Sequence, residues 1–90
     1  MKIRRLTIKE IREARGLSLK QAARLSGISA NAIRTWENAT RNPSELLTFN
    51  KLLKVYGINL RLQQLQSLGY ALDMGTKLGG IKFKVVDEDG

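Results

Sequence analysis

Four residues in one short stretch, Ala30, Asn31, Arg34 and Thr35, have the types and spacing to read base-pair edges. An arginine can give two parallel hydrogen bonds to guanine O6 and N7, and an asparagine can pair a donor and an acceptor with adenine. Thr35 adds a hydroxyl, and a methyl suited to thymine. Ser29 and Ala30 stand where such a helix would enter a groove. Spacings of three and four put Asn31, Arg34 and Thr35 on one side of a helix, with Ile33 and Trp36 on its buried face. The chemistry implied is hydrogen bonding to nucleic acid, provided other elements hold that helix outward.

The surrounding run, SLKQAARLSGISANAIRTWEN from Ser18 to Asn38, reads as two short helices broken by Gly27. Ala23 is small where the two must approach. Gly27 can take the left-handed conformation that ends a helix without Cβ strain. Ile28 plugs the corner and Ser29 caps the next helix.

Upstream, Thr7 and Glu10 fit a capping box that opens a first helix over about Ile8–Arg15, ended by Gly16. Ser18 and Gln21 fit a second, opening helix two, which carries Ala22, Ala23 and Leu25. Helix three spans about Ala30–Asn38, and Pro43 marks the loop that follows. Ser44 then caps helix four, with Glu45 in its first turn. Leu46, Phe49, Leu52, Leu53 and Tyr56 make its apolar face, and Gly57 ends it.

After Gly57 the period changes. Ile58, Leu60 and Leu62 alternate with polar residues, so a strand over Ile58 to about Gln64 is preferred to the helical spacing of Leu62, Leu65, Leu68 and Leu72. Such a strand must pair with a copy of itself or with Ile81–Val85, which alternates too. The expected organisation is a helix-turn-helix domain over 1–57, a dimerisation strand over 58–68 and a flexible, Gly-rich tail over 69–90. Leu72, Met74, Phe83 and Val85 are expected to be exposed on that tail, and Asp87-Glu88-Asp89-Gly90 forms an acidic, solvated end.

Ninety residues allow one small domain. The chain has no Cys and no His, which argues against a metal site and removes the commonest nucleophile and general base. An enzyme is not expected, nor a cofactor. No apolar run approaches the roughly 20 residues that span a bilayer. Nor does the N-terminus carry a secretory pattern, so the expected location is cytoplasmic. The net charge is +8, and it is uneven: residues 1–51 hold 11 Lys/Arg against 4 Asp/Glu, residues 52–90 only 5 against 4. Positive charge therefore coincides with the helix pair, as phosphate binding requires.

These motifs resemble the Cro/CI-type helix-turn-helix family, also called XRE, over about Ile8 to Leu60. The matching pieces are Ile11-Arg12, Gly16-Leu17-Ser18, Ala23, Gly27-Ile28-Ser29, Ile33, Trp36-Glu37-Asn38, Arg41-Asn42-Pro43-Ser44 and Tyr56 through Leu60. The resemblance implies a mostly α fold, a bundle of four or five helices whose third lies in the major groove of double-stranded DNA. It implies base contacts from Ser29, Ala30, Asn31, Arg34 and Thr35, and phosphate contacts from Lys20, Gln21, Asn38, Arg41 and Asn42. Arg12 and Glu37 match a structural ion pair, and Trp36 is core. Lys2, Arg4 and Arg5 would add an arm along the DNA backbone or into the minor groove.

Two positions depart from the pattern. Leu19 stands where the family often has Gln, leaving the phosphate contact to Lys20 or Gln21. Ala39 stands where it often has Gly, so Asn38 is expected to take the left-handed turn.

The segment after Gly57 resembles the HipB-type antitoxins, which implies a short C-terminal strand used in dimerisation through Ile58, Leu60 and Leu62. The expected function is a sequence-specific transcription regulator, a repressor binding a palindromic operator as a homodimer. The alternative is an antitoxin that neutralises a toxin protein and represses its own operon.

Overall fold

The computed structural model describes residues 2–87. Five helices make the body: α1 (Ile8–Ala14), α2 (Leu19–Ser26), α3 (Ala30–Glu37), α4 (Leu46–Val55) and α5 (Leu62–Asp73). Two short strands, β1 (Lys2–Leu6) and β2 (Phe83–Asp87), pair antiparallel from opposite ends of the chain, and a 3-10 turn at Leu78–Gly80 precedes β2.

Local chemistry accounts for the helix starts. Thr7 and Glu10 form a reciprocal capping box on α1, as do Ser18 and Gln21 on α2. Ser29 Oγ accepts the Ala32 N–H at 3.1 Å to start α3. Gly27 is left-handed, with φ of 77°. The N-cap of α4 is Glu45 and not Ser44, and it makes no side-chain cap bond to the backbone.

The core gathers Ile8, Ile11, Ala22, Ile28, Ile33 and Trp36 from the first three helices and Phe49, Leu52, Leu53 and Tyr56 from α4. Trp36 meets Phe49 edge-on at 5.9 Å, and Phe49 meets Phe83 at 6.3 Å. Three apolar residues on α2 differ in burial. Ala22 is the fully buried alanine, with Ala23 half-buried, and Leu25 is 61% exposed.

Beyond Gly57 the structure differs from the sequence reading. Residues 58–61 run without regular structure, and the expected strand gives way to α5 from Leu62 onward. No β-branched residue occurs between Leu60 and Asp73, whereas Leu and Gln are strong helix formers, and Gln64 caps the start by accepting the Arg61 N–H at 2.8 Å. Leu68 is buried and Leu72 packs partly against the core. Ile58 is itself core, so Ile58, Leu60 and Leu62 do not form one outward row.

Residues expected to form a mobile tail are built into the fold. Leu78, Phe83 and Val85 are buried, while Met74 is exposed. β2 pairs with β1, with Arg4 opposite Val85 and Leu6 opposite Phe83. Lys2, Arg4 and Arg5 are thus strand residues and not a free arm. The acidic stretch Glu88-Asp89-Gly90 lies outside the described residues. No described helix is long and apolar enough to cross a membrane.

Candidate nucleic-acid interface

Helix α3 is held by its inner face and offers its outer one. Ile33 and Trp36 are buried, while Asn31 and Arg34 are exposed and Ala30 and Thr35 half-buried. On the exposed face Arg34 donates from Nη2 to Asn31 Oδ1, which aligns the two side chains one turn apart. The Thr35 hydroxyl donates to the Ala32 carbonyl at 2.8 Å. Ser29 is exposed at the start of the helix.

A notch of about 510 Å3 separates α3 from the loop that leads to α4. Ser29, Asn31 and Thr35 line one side, with Arg41, Asn42 and Ser44 on the other. The loop hangs from α3 itself: the Thr35 carbonyl accepts both the Thr40 N–H at 3.0 Å and the Arg41 N–H at 3.3 Å.

The five residues expected at phosphates divide. Lys20 and Arg41 are exposed. Gln21 and Asn38 have their carbonyl oxygens engaged, Gln21 by the Ser18 N–H and Asn38 by the N–H and hydroxyl of Thr40. Each keeps its amide N–H groups to donate. Asn42 is the most engaged of the five. Its Nδ2 donates to the Thr76 carbonyl at 2.9 Å and its Oδ1 accepts the Leu78 N–H at 2.9 Å, so it bridges the loop to the segment before β2.

That segment is a further support for α3, and the sequence reading missed it. A Cβ on Gly79 would fall 2.5 Å from the Trp36 carbonyl oxygen, 2.7 Å from that of Glu37 and 2.9 Å from the Ala39 nitrogen. The 3-10 turn therefore touches the backbone at the C-terminal end of α3. The Gly79-Gly80 doublet was the available signal, and it reads equally well as a bend.

The left-handed residue after α3 is Ala39, with φ of 62°, whereas Asn38 keeps a negative φ of −88°. Arg12 and Glu37 join α1 to the end of α3 by two bonds, Nε to Oε2 at 2.7 Å and Nη2 to Oε1 at 3.1 Å. Arg12 Nη1 also donates to the Leu17 carbonyl at 2.8 Å. Both side chains are nearly buried, at 11% and 5% exposed, and the bond to Glu37 raises the guanidinium pKa further above its usual value. No group of His, Cys, Asp and Glu that could hold a metal occurs among the described residues.

Comparison with known proteins agrees with this architecture. A helix-turn-helix family model matches residues 8–63. The HTH-type transcriptional regulator PuuR of Escherichia coli K12 is 47% identical over 53 residues, as is its counterpart in Shigella flexneri. The match covers 59% of this chain but only 28% of each relative, so the chain spans little more than a quarter of the regulators it resembles. No solved structure matches significantly. With α2, α3 and the flanking α1 and α4 inside the matched span, the chain belongs to the Cro/CI-type (XRE) helix-turn-helix family of DNA-binding transcription regulators.

Proposed function

We propose that this chain represses transcription by seating α3 in the major groove of a two-fold symmetric operator, two copies reading two half-sites. The observation that carries the reading is the outer face of α3, where Asn31 and Arg34 stand exposed beside the notch edged by Arg41. Arg34, Asn31 and Thr35 contact bases, with Ser29 and Ala30 at the entry of the helix. Lys20 and Arg41, with the amide groups of Gln21 and Asn38, hold phosphates and fix the register. Asn42 supports the same loop from behind through Thr76 and Leu78.

The molecule measures 35 × 29 × 20 Å, so one copy covers about one turn of duplex, roughly 34 Å. Two copies are needed for a site long enough to be selective. The outward face of α5, with Leu62, Tyr70 and Met74 exposed, supplies the apolar surface for pairing them. The antitoxin alternative draws on the HipB-type resemblance and on apolar residues displayed by a mobile tail. Of the latter, Phe83 and Val85 are in the core and Met74 is exposed, so the repressor reading is preferred.

Selection of bound duplexes from a random library tests the reading and yields the operator. A palindrome with half-sites one turn apart is expected, and recovery of no common sequence would overturn it. On the selected site, Arg34→Ala should lose about 1–3 kcal/mol and relax preference at one base pair. Lys20→Ala should weaken all sequences alike and lower the salt slope by about one.

A further inference from the structure

An open groove of about 870 Å3 runs between the 57–61 loop, one side of α5 and β2, and it shares no lining residue with the notch beside α3. Its floor is apolar, with Ile58, Leu68, Phe83 and Val85 all buried. Among the described residues its lining includes five cations, Arg5, Arg15, Arg61, Lys82 and Lys84, and no carboxylate.

Several of these donors are already positioned. Arg5 and Lys84 are direct cross-strand partners, a placement of like charges that by itself destabilises a sheet. Arg15 is anchored by its Nε, which donates to the Tyr56 carbonyl at 3.0 Å, and its Nη2 lies over Gly57. Gln64 has its carbonyl oxygen on the Arg61 N–H, so its amide group is left to donate beside the positive end of α5. Lys82 also acts on Glu10 of α1, whose carboxylate is held by the Thr7 N–H it accepts at 2.9 Å. A concave site lined by one sign of charge over an apolar floor concentrates ligands of the opposite sign.

We propose that this groove binds a small organic anion, a phosphate or carboxylate head on an apolar body. The cations on its rim take the head, through the paired N–H groups that guanidinium offers to either oxyanion. The floor takes the body.

Amide NMR shifts of the full chain titrated with hexyl phosphate, hexanoate and inorganic phosphate test this. Hexyl phosphate or hexanoate should saturate and shift residues 57–61, Gln64 and 82–86 while leaving α3 unmoved; the tighter of the two identifies the head. Inorganic phosphate, with no apolar body, should bind at least about ten-fold more weakly. The double variant Arg5→Gln/Lys84→Gln should weaken the tighter ligand by about ten-fold. Arg61→Gln, on a different element, gives an independent second reading. Unsaturable shifts spread over Lys20, Arg34 and Arg41 would overturn the proposal, as would equal affinity for inorganic phosphate. So would unchanged affinity in both variants.

Discussion

Arg12 places three of its donors on defined acceptors, two on Glu37 and one on the Leu17 carbonyl. A pair this buried is weak evidence of net stability, but breaking it is expensive because one charge is left alone. Arg12→Met should therefore destabilise the fold by roughly 3 kcal/mol, and Arg12→Met/Glu37→Met by less than the sum of the single changes. Urea denaturation measures both. DNA affinity below the melting range should stay near wild type for the double variant. Tyr56 stands close by, fully buried, and its hydroxyl has no hydrogen-bond partner among the described residues. Burial pushes its pKa well above the usual tyrosine range, the charge of Glu37 adds to this, and Arg12 opposes it. The folded state thus favours the neutral phenol. Its contribution is present below the unfolded value near 10 and is lost as pH rises beyond it. Tyr56→Phe should stabilise the protein by about 1 kcal/mol at neutral pH and flatten its alkaline unfolding limb. Thermal melts from pH 8 to about 11 would show both effects.

At the scale of elements, what was legible in the sequence is what is local. The capping boxes at Thr7 and Ser18, the stop at Gly27 and the buried pair Ile33 and Trp36 each depend on residues within a few positions. So does the outward face of α3. Misread elements depended on contacts distant in sequence, or on a pattern that fits two periods. Ile58, Leu60 and Leu62 satisfy alternation, yet Ile58 belongs to the core after α4 and Leu62 faces outward on α5. β1 looked like a charged arm because its partner lies about eighty residues away. The bonds of Asn42 to Thr76 and Leu78, 34 and 36 residues away, have no local sign in the chain either. The turn after α3 shows the same limit. Ala39 takes the left-handed conformation at a cost of about 1–2 kcal/mol for a residue with a Cβ. Ala39→Gly should recover about 0.5–1 kcal/mol after the entropy of glycine in the unfolded chain is counted. Gly79→Ala should do the opposite, losing about 1–3 kcal/mol, because its Cβ meets three backbone atoms of α3 and Ala39. Melting curves of the two variants should move in opposite directions. If Gly79→Ala left the melt unchanged, the 3-10 turn would not be a support for α3.

At the level of the whole molecule, the proposed pairing of two copies requires a surface on which they can meet. The β1–β2 sheet has two open edges, a usual route to pairing. Its strands carry Lys2, Arg4, Arg5 and Lys84, however, and charge along an edge discourages a second strand. The outward side of α5 carries one charge, Asp73 in its last turn. Leu62, Tyr70 and Met74 are 69%, 67% and 69% exposed, and Leu62, Gln66 and Tyr70 follow one another at successive turns. A two-fold axis would set this stripe against itself, as isologous interfaces require, and leave both α3 helices free. Leu62→Lys/Tyr70→Lys changes only outward-facing residues, so helical content should persist while sedimentation reports monomers. The variant should then bind a two-half-site operator roughly 100- to 10,000-fold more weakly, since each copy binds without its neighbour. Leu47 serves as the control, because it is equally exposed on α4. Leu47→Lys should leave both assembly and affinity unchanged. A dimer that survives the α5 variant and dissociates in Leu47→Lys would move the interface to α4.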